Sequence, residues 1–190
     1  MFSATEPFSL YFSLNNGLSN EVVSRKRHLS EMKGMFLDDD TLKQRVQNDD
    51  PLVYEFYTLD IPETPGDLAF GTSIVYPGKV GDEYFMTKGH FHTIIVTAEV
   101  YYCIGGEGYL LMETTEGKWD AQRLTRGKAV YVPKCYAHRS INTGSEPLIT
   151  FFTFRADAGH DYKTIENRGF HKLIVERDGK PKIIDNPKWH

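Results

Sequence analysis

Four side chains near the middle of the 190-residue sequence have the types and spacing of metal ligands. On an extended strand, residues two apart face the same side, so His90 and His92 project side by side at a separation that suits two bonds to one ion. Glu99 follows at the start of an apolar run, and His138 lies further along, after Val130–Val132. Three imidazoles and one carboxylate suit a borderline divalent ion and leave coordination positions open on an octahedral one.

The composition excludes several classes of protein. A net charge of −4 and a pI near 6.0 do not fit the basic surface of a nucleic-acid-binding protein. Cys103 and Cys135 form no CxxC pair and are interpreted as packing residues. The first residues lack the basic start of a signal peptide, and no apolar run reaches the length of a membrane span. We therefore expect a cytoplasmic protein with no nucleic-acid or membrane partner.

The elements that must position the ligands are predicted to be short strands. From Leu52 onwards, runs rich in aromatic and branched residues alternate with Gly- and Pro-containing turns, which is typical of a sandwich or barrel. Asp178-Gly179 between two such runs predicts a hairpin. The predicted strands cover residues 53–59, 68–76, 96–104, 109–114, 129–132, 148–154, 172–177 and 181–184.

The segment before Leu52 has a different pattern. Apolar residues at helical spacing predict a helix over residues 20–35, capped by Ser19 or Asn20. A second short helix is predicted over residues 41–47, entered through the acidic residues 38–40. We expect one domain over residues 1–190, in which residues 1–50 form a helical or extended segment that packs on the barrel.

Two sets of spaced residues resemble the motifs of the cupin superfamily. The first is His90, His92, Glu99 and Gly106, and the second is Gly127, Pro133, His138 and Asn142. The sequence departs from the family pattern in the longer spacing between His92 and Glu99, and in Cys135, which stands where the second motif has Gly. The resemblance implies an all-β cupin double-stranded β-helix, or jelly-roll barrel. It also implies one divalent metal per subunit on His90, His92, Glu99 and His138, with Fe²⁺ expected first and Mn²⁺, Zn²⁺ or Ni²⁺ as alternatives.

Longer segments resemble the cupin-type (archaeal-type) glucose-6-phosphate isomerases. They include Thr87-Lys88-Gly89-His90-Phe91-His92, Ala156-Asp157-Ala158-Gly159-His160-Asp161-Tyr162 and the tail Asp185-Asn186-Pro187-Lys188-Trp189, and the resemblance runs from about residue 24 to residue 189. It implies a metal-dependent interconversion of glucose 6-phosphate and fructose 6-phosphate, and a homodimer. A three-His, one-Glu site also suits a ferrous dioxygenase, and a non-catalytic sugar-binding cupin is the third hypothesis.

The resemblance assigns roles to individual residues. It implies catalytic roles for Glu99, His160 and Tyr162, with Glu99 as the base of a metal-stabilised enediolate route. A metal-assisted hydride shift without a base is the rival mechanism. The implied substrate-binding residues are Tyr54, Ser73, Thr87, Gly89, Tyr101, His160 and Tyr162, and the phosphate falls on the hydroxyls of Ser73 and Thr87 and the amide of Gly89. Phe154 stands where the family has Tyr, so one phosphate contact is expected to be missing or made by another group.

Overall fold

Antiparallel strands make up most of the fold. The computed structural model describes residues 6–59 and 61–189. The strands are β1 (Arg25–His28), β2 (Leu52–Thr58), β3 (Leu68–Val75), β4 (Lys79–Val80), β5 (Glu83–Tyr84), β6 (Glu99–Gly105), β7 (Glu107–Glu113), β8 (Trp119–Thr125), β9 (Ala129–Val132), β10 (Ala137–Asn142), β11 (Leu148–Arg155), β12 (Lys172–Arg177) and β13 (Lys180–Asp185). The helices are α1 (Asp39–Asn48) and α2 (Tyr162–Arg168), with single 3₁₀ turns at Leu29–Met32 and Ala156–Ala158.

The strands form three antiparallel sheets. The largest has the order β1-β2-β3-β11-β6-β9, the second has the order β10-β7-β8, and the third has the order β13-β12-β5-β4. Neighbours such as β3 and β11 are far apart in sequence, and their pairing runs from Leu68 opposite Arg155 to Val75 opposite Leu148. This crossing of distant strands is the all-β jelly-roll barrel that the sequence predicted, and its helices are few and short.

The predicted strands are confirmed within one to three residues at most ends, and the hairpin at Asp178-Gly179 joins β12 to β13. The sequence did not predict β8 or β10, which flank β7. All six residues of β10 are buried, polar ones included, so its sequence shows no alternation of apolar and polar residues. This omission matters because β10 carries His138.

The predicted helix over residues 20–35 is wrong. Residues 25–28 form the edge strand β1, which pairs with β2, and a single 3₁₀ turn follows. The turn buries Leu29 and Met32, but Val23, which contributed to the helical spacing, is 90% exposed. Pairing with the free edge of the sheet therefore outweighs the helical periodicity.

The second predicted helix is confirmed as α1. The Asp38 side chain caps it by accepting a hydrogen bond from the Thr41 backbone N–H at 2.9 Å. Across residues 6–59 and 61–189, neither helix is long and apolar enough to cross a bilayer. The start of the chain that argued against a signal peptide lies mostly within residues 1–5, outside the described residues.

Candidate metal centre

Backbone pairing brings the first and the last of the predicted ligands together. The His90 N–H donates to the His138 carbonyl at 3.3 Å, and the His138 N–H donates back to the His90 carbonyl at 3.1 Å. His138 belongs to β10, whereas residues 89–92 form an extended segment with isolated bridges outside any regular strand. The extended backbone still places the His90 and His92 rings side by side, with their centroids 5.7 Å apart.

Glu99 is the first residue of β6 and lies between two of the imidazoles. Its Oε2 atom is 3.1 Å from His92 Nε2 and 2.9 Å from His138 Nε2. One ligand atom from each of His90, His92, Glu99 and His138 lies within 4.8 Å of the other three. Four donors this close can share one ion.

The electrostatics keep the carboxylate ionised. Burial alone would raise the pKa of Glu99, but the neighbouring His138 and His92 side chains lower it to about 2. Burial and the neighbouring His138, His160 and His92 hold the pKa of His90 well below its usual value. The group therefore consists of a carboxylate beside a neutral imidazole at neutral pH, and these are the protonation states that metal ligands require.

The hydrogen bonds that the ligand atoms make indicate whether the donor set fits a divalent ion. Among the described residues, the Nε2 atom of His90 is buried and has no hydrogen-bond partner, and the buried Nε2 atom of His138 has only the Glu99 carboxylate as a polar neighbour. Buried polar atoms are normally satisfied, and a cation within reach of all four ligand atoms would satisfy the His90 nitrogen. Three nitrogens and a carboxylate oxygen fit the borderline divalent metals.

A cavity of about 520 Å³ opens above the cluster. Its volume falls within the usual range for small-molecule sites. The lining includes all but one of the side chains assigned to ligand and substrate binding: Tyr54, Ser73, Thr87, Gly89, His90, Glu99, Tyr101, His138, His160 and Tyr162. The exception is His92, which is buried behind the lining and reaches the cluster through its Nε2 atom.

A second backbone bridge places His160 and Tyr162 over the cluster. The Phe91 N–H donates to the Asp161 carbonyl at 3.2 Å, and the Asp161 N–H donates to the Phe91 carbonyl at 2.8 Å. The Asp161 side chain also caps α2 through the Thr164 N–H. As a result, the His160 ring lies 4.5 Å from the His90 ring and stacks on Tyr162 at 5.8 Å.

Burial shifts the pKa values of His160 and Tyr162, the two aromatic side chains above the cluster, in opposite directions. Burial lowers the pKa of His160 to about 4, against the opposing effect of the Glu99 charge, so its imidazole is neutral at pH 7. Burial raises the pKa of the Tyr162 phenol, although Arg27 opposes the change. A neutral imidazole can accept a proton and a neutral phenol can donate one.

Hydroxyl groups also line the cavity. Ser73 Oγ is buried and has no hydrogen-bond partner among the described residues. Thr87 Oγ1 accepts a hydrogen bond from the Ser140 N–H at 3.1 Å, which leaves its own proton free to donate. Gly89 has a φ of +75°, and a Cβ atom at this position would lie 3.0 Å from Arg139 Cβ and 3.0 Å from the His138 carbonyl oxygen.

Two arginines in the cavity wall were missed by the sequence reasoning. Arg25 and Arg27 stand two apart on β1 and line the cavity. Arg27 also pairs with Glu31 at 3.3 Å. The signal was the Arg-Lys-Arg run at residues 25–27, to which the predicted helix over residues 20–35 gave no role. The cavity of this acidic protein therefore has cationic groups at one side.

Cys135, the departure from the second cupin motif, adopts a φ of +69°. A left-handed backbone is the conformation that favours glycine. Its N–H donates to the Ile95 carbonyl at 2.7 Å, which ties the turn before β10 to the loop before β6. The turn geometry of the motif is therefore retained with a side chain present.

The barrel, with three imidazoles and a carboxylate converging at the foot of its cavity, defines a cupin with a candidate metal site. A family model described as "Glucose-6-phosphate isomerase (GPI)" matches residues 26–189. The chain is 47% identical over 184 residues to a glucose-6-phosphate isomerase of Thermococcus litoralis, and the match covers 97% of each chain. It is 35% identical over 188 residues to a glucose-6-phosphate isomerase of Sinorhizobium medicae, covering 97% of this chain and 88% of that protein. The chain belongs to the glucose-6-phosphate isomerase family, which confirms the resemblance seen in its motifs.

Solved structures with lower similarity include two cupin enzymes. An oxalate oxidase in complex with glycolate has a TM-score of 0.49 and 16% identity, over 60% of this chain and 56% of that chain. An oxalate decarboxylase formate complex of Lactobacillus farciminis has a TM-score of 0.46 and 18% identity, over 57% and 30% of the two chains.

Proposed function

We propose that this chain interconverts glucose 6-phosphate and fructose 6-phosphate with a divalent metal held by His90, His92, Glu99 and His138. The observation that carries the proposal is the convergence of these four donors at the foot of a cavity, in a chain that belongs to the glucose-6-phosphate isomerase family. The reaction moves one hydrogen between C1 and C2 of the sugar and exchanges the positions of the hydroxyl and the carbonyl.

A mixed nitrogen and oxygen set accepts Fe²⁺, Mn²⁺, Zn²⁺ and Ni²⁺, and Fe²⁺ is proposed first on the family resemblance. A divalent ion on these residues would supply Lewis acidity to the sugar oxygens at C1 and C2. The protein's own contribution is to keep Glu99 and His90 in the unprotonated state and to enclose the donors. The side chains of Glu99 and His138 are only 2% and 1% exposed.

The phosphate is assigned to the hydroxyl-lined wall. The unpartnered Oγ of Ser73 and the free proton of Thr87 provide two donors, and the Gly89 backbone amide lies between Thr87 and the cluster. Arg25 and Arg27 add positive charge at the same cavity, which a protein with a net charge of −4 needs in order to hold an anion.

Hydrogen transfer is assigned to the residues nearest the cluster. Glu99 is the proposed base, and the hydroxyl of Tyr101 is hydrogen-bonded to it. A carboxyl with a pKa near 2 is a weak base, so a direct hydride shift between C2 and C1 remains the competing route. Tyr54 and Tyr101 flank the sugar, and His160 and Tyr162 exchange the proton of the ring oxygen during ring opening.

The test is fructose 6-phosphate turnover by purified protein, as isolated, after chelation, and after addition of Fe²⁺, Mn²⁺, Zn²⁺ or Ni²⁺ singly. We expect activity to vanish with the chelator and to return with at least one ion. No turnover with any ion, in protein that still binds metal, would refute the isomerase proposal and would favour a dioxygenase, which oxygen consumption would reveal. Deuterium uptake from D₂O at C1 or C2 separates a base from a hydride shift, because only the base route exchanges with solvent.

We further propose that the enzyme is a cytoplasmic homodimer. The outer face of the largest sheet is covered in part by the amino-terminal segment, where the Phe12 ring stacks on Phe151 at 6.0 Å. On the same sheet Val100, Tyr102 and Tyr131 are 36%, 44% and 63% exposed. An apolar face of this kind suits burial against a second copy. Light scattering on the protein eluted from a size-exclusion column gives its mass directly, and a homodimer has twice the 21.8 kDa of one chain.

A further inference from the structure

The Thr97 hydroxyl lies behind His92, on the side of the ring that faces away from the other ligands. Thr97 Oγ1 is 2.7 Å from His92 Nδ1, and the opposite nitrogen, Nε2, is 3.1 Å from Glu99 Oε2. His92 is 6% exposed and Thr97 is 4% exposed. Both nitrogens of the imidazole therefore have an oxygen neighbour, and the ring is shielded from water.

The proton inventory around Thr97 distinguishes the two tautomers of His92. Thr97 Oγ1 donates to the Ile94 carbonyl at 2.8 Å, and a carbonyl can only accept. The single hydroxyl proton is then used, so Oγ1 accepts from the Nδ1–H of His92. This arrangement leaves a lone pair on Nε2, directed towards the cluster. The other tautomer carries its proton on Nε2, donates it to Glu99 and cannot ligate a metal through that atom.

We infer that Thr97 is a positioning residue that selects the metal-binding tautomer of His92. The inference rests on the metal centre of the proposed function. His138 provides a contrast within the described residues, because its outer nitrogen, Nδ1, is buried without a hydrogen-bond partner. Partners of this kind orient a ligand and fix its tautomer, and their loss commonly weakens metal affinity by about 10- to 100-fold.

The first experiment measures Zn²⁺ affinity by competition with a chromogenic chelator for wild type, Thr97→Val and Thr97→Ser. Valine keeps the shape of threonine without the hydroxyl, and serine keeps the hydroxyl. We expect Thr97→Val to raise the Kd for Zn²⁺ by about 10- to 100-fold and Thr97→Ser to stay within about threefold of wild type, as for loss and retention of such a partner. After chelation, Thr97→Val should have a lower Tm than Thr97→Ser, because it leaves the His92 Nδ1 atom without its buried hydroxyl partner.

The second experiment reads the tautomer itself by ¹⁵N NMR of the chelated protein, with the His92 signal assigned by its loss in His92→Gln. Wild type and Thr97→Ser should carry the proton on Nδ1, whereas Thr97→Val should shift it towards Nε2. Equal Zn²⁺ affinity of Thr97→Val and wild type, or an equal loss in both variants, would overturn the inference about Thr97 alone. Failure of the wild type to bind any divalent ion would instead overturn the metal centre together with it.

Discussion

Replacement of Gly89 by alanine tests how the fold positions the candidate metal centre. Gly89 has a φ of +75°, and a Cβ atom there would lie 2.7 Å from Phe170 Cε2, 3.0 Å from Arg139 Cβ and 3.0 Å from the His138 carbonyl oxygen. Phe170 is fully buried, and the same His138 carbonyl accepts the hydrogen bond from His90. The substitution therefore combines backbone strain with overpacking beside two ligands.

The two contributions can be separated by a matched control. Gly179 has a φ of +70° in the β12–β13 hairpin, and a Cβ there would meet nothing within 4 Å. Left-handed strain costs an alanine about 1–2 kcal/mol, and the stiffer unfolded chain returns about 0.4–1 kcal/mol. Gly179→Ala should therefore lower the free energy of unfolding by about 1 kcal/mol. Overpacking adds about 1–3 kcal/mol, so Gly89→Ala should lose about 2–4 kcal/mol.

Equilibrium urea unfolding of the chelated wild type, Gly89→Ala and Gly179→Ala measures both losses. Zn²⁺ affinity should fall in Gly89→Ala and stay unchanged in Gly179→Ala, because only the first substitution displaces the His138 carbonyl. Equal stability of the two variants, or unchanged Zn²⁺ affinity in Gly89→Ala, would refute the argument that close packing at this glycine positions His90 and His138.

Two further predictions concern Phe154 and Cys135, where the sequence is expected to depart from the family pattern. Phe154→Tyr adds a hydroxyl in the cavity and should lower the KM for fructose 6-phosphate by roughly 2- to 10-fold with little change in kcat, as expected for one added hydrogen bond. Phe152→Tyr, in the same lining, is the control. An unchanged KM in Phe154→Tyr would show that Phe154 does not belong to the phosphate site. Cys135→Gly relieves left-handed strain and should raise the free energy of unfolding by about 0.5–1 kcal/mol. Asp178→Gly, at a φ of +54° in the hairpin turn, should raise the free energy of unfolding by less, because Asp tolerates that turn. An equal increase at both sites would contradict the assignment of strain to Cys135.

The sequence predicted the strand-rich fold well because most strands carry aromatic and branched residues between clear turns. It failed where tertiary contacts replaced the local signal. The helical spacing over residues 20–35 was outweighed by edge pairing of β1 with β2, and β10 has no alternation because all six residues are buried. The same two segments contain Arg25, Arg27 and His138, so errors in local structure fell next to the site.

The ligand types were readable from spacing, but the contacts that orient them were not. Thr97 lies in a loop, two residues before β6, and its contact with His92 depends on how that loop folds. His160 and Tyr162 reach the cluster because Asp161 pairs with Phe91, a bridge between distant segments that no short-range pattern indicates. Family resemblance supplied these two residues where periodicity could not.

The strand β10 explains why the centre can be rigid although two of its ligands lie outside any regular strand. Side chains alternate along a strand, so His138 faces the cavity and Arg139 faces the opposite side. The Arg139 guanidinium donates to the Lys88 carbonyl at 2.5 Å and lies 4.2 Å from the centre of the Phe170 ring, which packs on Gly89. Burial lowers the pKa of Arg139 to about 10, with Glu83 and Glu113 opposing, so it stays charged at neutral pH. One face of β10 thus supplies a ligand, and the other anchors the segment that carries His90 and His92.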